Sequence, residues 1–254
     1  MIGFVPGASP LHRAHPYTPL TIAAAILLVT FAATGLVAVW SMVAMSLAVA
    51  LLGRVARPIA GPALVLVLPT WIVLFVLHGL LGDAPRVLIA GPVTLSEPGI
   101  ARALVLGGRI GAIVIASLVT LATVSPARLV EAMTDRGVPF GRIFLLVSTL
   151  TFLPRTRLRA RGILEAQQAR GLRLRGSPVA RFRALGPVVL PLVLGALAEV
   201  DEQVLALESR GATSAARRTA LDPPSDSPAQ RALRWSLLVL VLAAFAARFG
   251  GALR

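Results

Sequence analysis

Two short endings forty residues apart, Gln168-Ala169-Arg170-Gly171 and Glu208-Ser209-Arg210-Gly211, each set a guanidinium beside a glycine. A guanidinium is a rigid fork of N–H donors that fits a carboxylate. Glycine just past the last helical residue takes the left-handed cap conformation without a Cβ penalty, and arginine in the last turn complements the negative end of the helix dipole. The chemistry open to these residues is charge-assisted docking at two helix tips, not bond making. Each tripeptide alone is an ordinary helix ending, and Ala160-Arg161-Gly162 repeats it. What sets the pair apart is its setting, a basic stretch between long apolar segments.

Other chemistries find no residues to carry them. Cysteine is absent, which removes disulfides, thiolate metal sites and cysteine nucleophiles. Lysine is absent too, and with it any phosphate-cradling Gly-x-x-x-x-Gly-Lys-Ser/Thr loop, so a chain driven by ATP needs another subunit to bind it. His12 and His15 are too few for a metal site, and His78 stands near the outer end of an apolar run as a packing or interfacial residue. From Arg155 to Arg218 there are 12 arginines against Glu165, Glu199, Asp201, Glu202 and Glu208. Phe182 is the one aromatic residue between Leu153 and Arg218, so bases would have no stacking platform and nucleic acid is not the partner. Arg155, Arg157, Arg159 and Arg161 suit a juxtamembrane stretch drawn to anionic membrane lipid.

The elements that must position the two tips follow from hydropathy. Hydrophobic residues make up 56% of the 254 and charged residues 14%, against about 25% charged in a soluble domain. The sequence therefore predicts an all-α integral membrane protein of about five transmembrane helices, with a cytoplasmic helical region containing two long helices. Leu20 to Gly53 runs 34 residues without charge, too long for one span of about 20 residues, and a break near Gly35 makes two short helices that thin the bilayer or tilt. Residues 61–82 and 100–124 supply the third and fourth spans, joined by a loop from Asp83 to Pro98, and 233–249 the last. Ile143–Leu153 is too short to cross alone, and Ala184–Ala198 is interrupted by Pro187 and Pro191. If Ile143–Leu153 crossed, nine arginines between Arg155 and Arg183 would lie outside, against the bias that keeps arginine cytoplasmic. The chain thus reads as a membrane region over 1–124, a cytoplasmic or interfacial segment with its linker over 125–230, and a C-terminal span over 231–254, with the N-terminus inside and no cleaved leader. This topology leaves Arg248 and Arg254 on the outer side.

The sequence resembles the transmembrane (T) component of energy-coupling factor (ECF) ABC-type transporters, the cobalt/biotin-type permease family. The likeness is carried by Ser9-Pro10-Leu11-His12-Arg13-Ala14-His15-Pro16, by Ser125-Pro126-Ala127-Arg128-Leu129-Val130-Glu131-Ala132-Met133 leading to Arg136-Gly137-Val138-Pro139, by Phe152-Leu153-Pro154, and by the two endings. It implies that Ala169, Arg170 and Gly171, and again Ser209, Arg210 and Gly211, cap two coupling helices that dock on a pair of ATP-binding cassette subunits. It further implies a non-catalytic plasma-membrane subunit of an importer of vitamins or transition-metal ions. ATP and Mg would sit on the partners, no cofactor on this chain, and substrate on a separate membrane-embedded substrate-binding (S) subunit. Ala160-Arg161-Gly162 lies too close to Pro154 to be either signature.

Arg109 falls about 12 residues into the fourth span, some 18 Å along a helix, where an arginine faces protein and marks function. Residues 20–82 and 233–254 hold no acid, so these spans offer it no ion pair. Backbone carbonyls or a partner protein remain as its contacts, and Gly107, Gly108 and Gly111 permit close helix approach. The competing class is a self-contained secondary transporter, which needs midplane ionisable groups or inverted repeats. Only Arg109 meets that requirement. An intramembrane enzyme needs paired acids or a nucleophile in the spans, and none is present.

Overall fold

The computed structural model describes residues 4–80, 88–90, 93–95, 97–172, 186–211 and 224–250. Asp83 and Arg86 of the predicted loop, Arg173 to Arg183 with Phe182, Ala184, the linker from 219 to 223 with Arg217 and Arg218 before it, and Arg254 lie outside these residues. The chain divides into two compact units, one of Met1–Ala132 with Asp222–Arg254, the other of Met133–Leu221.

The first unit begins with a helical turn, α1 (Pro10–Arg13), followed by α2 (Tyr17–Ala32), α3 (Leu36–Leu52), α4 (Ala56–Leu74) with a π-helical turn over Phe75–Leu80, and α5 (Glu97–Thr123). A short antiparallel pair, β1 (Leu88–Ala90) and β2 (Val93–Leu95), precedes α5. The helix α6 (Pro126–Asp135) follows it. Phe140–Ala169 and Gly186–Ser209 form α7 and α8, and Pro228–Phe249 forms α9. Among the described residues, Ala56–Leu80, Glu97–Thr123 and Pro228–Phe249 are long and apolar enough to cross a membrane, and Tyr17–Ala32 and Leu36–Leu52 are shorter apolar helices. This is an all-α multi-pass membrane protein.

The uncharged run from Leu20 to Gly53 folds as two short helices that break where expected, at Gly35, whose φ of +88° suits glycine. The third span starts earlier than hydropathy suggests. Arg57 and Pro58 enter the first turn of α4, where the missing proline N–H has no helical partner to lose.

α5 is the centre of the first unit and packs against α2, α3 and α4. It can do so because Ala103, Gly107, Gly111 and Gly108, Ala112, Ala116 recur every four residues and are buried, which lets neighbouring backbones approach. A Cβ at Gly108 would stand 2.9 Å from Val39 Cγ1, and one at Gly107 2.7 Å from Trp71 Nε1. Val39 is fully buried, so it has no room to retreat. Gly108→Ala is expected to lower stability by about 1–3 kcal/mol through overpacking. Thermal unfolding in detergent checks this against Gly61→Ala, where a Cβ meets nothing within 4 Å.

One end of the unit gathers the N-terminal segment, the α3–α4 turn, the end of α5 and the start of α9. Val5 N–H donates to Ala122 O at 2.9 Å, Val55 clusters with Leu118, Val119 and Ala122, and His15 N–H donates to Gln230 Oε1 at 2.8 Å. The α3–α4 turn closes with Arg54 at φ +53°, an arginine where glycine is the usual choice.

In the second unit, Ile143–Leu153 is not a separate short helix. It is the first half of α7, which continues unbroken through Pro154 for 30 residues. Gly186–Ala198, the described part of the second run, likewise opens the 24-residue α8.

Candidate functional site

α7 and α8 run antiparallel. Gln167 Nε2, near the end of α7, donates to Pro187 O at the start of α8 at 3.2 Å. That carbonyl is free because Pro191, four residues on, has no N–H to give it. Further along, Arg159 Nη1 lies 2.8 Å and Arg155 Nη1 3.7 Å from the Glu199 carboxylate. Gln203 Nε2 donates to the same carboxylate at 3.2 Å. Between the helices lies a groove of about 380 Å³, apolar at Phe144, Phe152, Val200 and Leu207 and charged at Arg155, Arg159 and Glu199. Two of the four arginines expected to meet lipid are therefore engaged by a carboxylate.

The two predicted tips are built alike. α7 ends at Ala169, Arg170 is the cap, and Gly171 has φ +93°. Gly171 N–H donates to Gln168 O and Leu172 N–H to Gln167 O, both at 2.9 Å, the paired bonds of a Schellman motif. α8 ends at Ser209, and Gly211, with φ +67°, donates to Glu208 O at 2.9 Å. All six residues are exposed, and among the described residues neither Arg170 nor Arg210 pairs with a carboxylate. Ala160-Arg161-Gly162, by contrast, is interior to α7. A third cap of the same geometry closes α6 at Arg136-Gly137, where Gly137 has φ +73°.

Because the helices are antiparallel, their C-terminal tips lie at opposite ends of the pair. From the Gln167 level to the Phe144 level is roughly 35 Å along α7. The two tips are therefore well separated.

In the first unit, Arg109 Nη2 donates to Ala33 O at 2.8 Å. Carbonyl bonding is thus one of its contacts. Sequence reading missed a polar lock at the other end of α2. Arg234, 9% exposed, donates from Nη2 to both Asp226 oxygens at 2.8 and 2.7 Å and from Nη1 to Thr18 Oγ1 at 3.2 Å. Thr18 Oγ1 and His15 N–H both donate to Gln230 Oε1. The Arg234 hydrogen bond holds the Asp226 carboxyl below its ordinary range, against an opposing push from burial. An acid followed eight residues later by an arginine across a helix start was the available signal. Arg128, on α6, donates to the carbonyls of His12 and Arg13 and so fastens α1.

The model of the cobalt transport protein family CbiQ matches residues 7–221. The chain belongs to that family. Two relatives are named energy-coupling factor transporter transmembrane protein EcfT. The one from Brevibacillus brevis is 31% identical over 232 residues, 86% of each chain, and the one from Bacillus subtilis is 28% identical over 229 residues, 85% of each. A Bifidobacterium longum protein named as an ABC transporter ATP-binding protein is 28% identical over 228 residues, 86% of this chain but 27% of that protein. Within this CbiQ-family chain, the match takes in both α7 and α8 with the first tip and the second.

Proposed function

We propose that this chain is the membrane-embedded energy-coupling subunit of an ECF-type importer of vitamins or transition-metal ions. It passes conformational change from two ATP-binding cassette subunits to a separate membrane subunit that binds substrate. One observation carries the reading: two exposed Arg-Gly caps of like geometry, without a carboxylate partner among the described residues, at opposite ends of one antiparallel helix pair. Two equivalent ATPases present two equivalent acidic sockets, and a rigid pair of helices bridges them. Ala169, Arg170, Gly171 and Ser209, Arg210, Gly211 are the docking residues. ATP with Mg supplies the free energy on the partner subunits. This chain performs no catalysis and binds no cofactor. Its part is to seat its guanidiniums and move as the ATPases close.

The relatives' names support the reading, and so does the homologous segment inside a longer ATP-binding protein. The clustering of Arg13, Arg54, Arg57 and Arg128 at one end of the first unit, with Arg231 on the same side, supports placing that end and the N-terminus in the cytoplasm, together with residues 125–230.

The test is purification of the tagged chain in mild detergent with its neighbours. Two ATPase copies per chain and one further membrane subunit are expected. Gradient-driven uptake by the chain alone in liposomes would instead make it a self-contained secondary transporter.

A further inference from the structure

α2 has 16 residues, about 24 Å at 1.5 Å per residue, against a hydrocarbon core of about 30 Å. Its first turn is fixed at one end of the unit by Gln230, so its carbonyl end stops short of the opposite interface. The chain then reverses through Ala33, Thr34 and Gly35 before α3 begins. Irregular backbone at such depth persists only where protein groups or a wet cavity satisfy it. Two guanidiniums from different helices converge there. Arg109 of α5 donates to Ala33 O, and Arg248, in the last turn of α9, donates from Nη1 to the carbonyls of Phe31 and Ala32.

Among the described residues the charges do not balance. A helix C-terminus offers about half a negative charge, and two full positive charges face it. Among the described residues neither arginine meets a carboxylate, and residues 20–82 and 233–254 contain no acid. Glu97 stands 12 residues before Arg109 on α5, roughly 18 Å away along the axis. Donors remain as well. Arg109 Nε is buried without an acceptor, and Arg248 is exposed. α9 also carries exposed apolar side chains at Val239, Leu242 and Phe249, the last of them next to Arg248 in the chain.

We propose that Arg109 and Arg248 form a phosphate site for an anionic phospholipid of the leaflet at this end, with its acyl chains lying along α9. The short α2–α3 hairpin thins the bilayer locally and draws the head group to the level of the arginines. A phosphodiester provides the acceptors that the guanidiniums lack and one compensating charge. The ammonium of a zwitterionic head group would face the second arginine, so a phosphatidylglycerol-type lipid fits better.

The experiment uses the full chain, delipidated in mild detergent and titrated with phosphatidylglycerol, phosphatidylcholine or glycerol 3-phosphate, with bound molecules counted by native mass spectrometry. Wild type, Arg248→Lys and Arg57→Gln, the last at the opposite end, should each retain one phosphatidylglycerol that phosphatidylcholine and glycerol 3-phosphate do not replace. Arg248→Gln should weaken its binding by about tenfold or more, and Arg109→Gln likewise. Arg248 is exposed, so its variant carries the test if Arg109→Gln does not fold. Undiminished phosphatidylglycerol binding in Arg248→Gln, equal binding of phosphatidylcholine, or equal binding of the soluble phosphate would overturn the proposal.

Discussion

Arg170→Glu combined with Arg210→Glu is expected to abolish ATP-dependent uptake and to release both ATPases during purification. A guanidinium seated against a buried carboxylate loses about 3 kcal/mol when the pair is broken, roughly 100-fold in affinity per tip, and like-charge contact adds to that. Because the tips lie at opposite ends of the α7–α8 pair, each single reversal should free one socket and leave the other engaged. Neither arginine pairs with a carboxylate among the described residues, so the chain's own thermal stability should stay within about 0.5 kcal/mol, as for other exposed positions. Arg161→Glu is the control. It reverses an exposed arginine next to a glycine inside α7 and should leave assembly intact. Retained ATPases and uptake in the double variant would remove the coupling role from these tips.

Asp226→Asn should give the largest loss of stability. It removes the carboxylate from a guanidinium that is nine-tenths buried and that also holds Thr18. Stranding such a charge costs about 3 kcal/mol. The pH dependence follows from the lowered carboxyl pKa. A group whose folded pKa lies below its unfolded value adds stability that is full above the unfolded pKa and is lost as pH falls through the folded one. Wild type should therefore lose part of its thermal stability in detergent below about pH 4, and Asp226→Asn should lose less over the same interval. Equal slopes in the two proteins would show that the Asp226–Arg234 pair does not set the acid limit.

Much of this molecule is written in local pattern. The absence of charge from Leu20 to Gly53 required membrane helices, and Gly35 marked their break because few other residues accept its backbone angle. The two Arg-Gly endings were legible as caps for the same reason. Ala160-Arg161-Gly162, set aside in the sequence for its closeness to Pro154, lies within a continuous helix, whereas the other two tripeptides end theirs. The length of α7 was not legible either. Pro154 and the shift from apolar to basic side chains mark no boundary when a partner helix supplies the packing.

By itself the sequence determined that the chain is a helical membrane protein, where its first apolar run breaks and where its two Arg-Gly helix endings fall. These depend on composition, on 3.6-residue periodicity and on residues with special backbone angles, all of which act over a few positions. Only tertiary structure decided that α7 and α8 oppose each other and so point their tips apart. It also decided that Arg109 and Arg248 share the end of α2, and that Asp226 locks α9 to Thr18. Those pairings join residues from 20 to more than 200 positions apart, and such distances are closed by packing of whole helices, which no local stretch of the chain encodes.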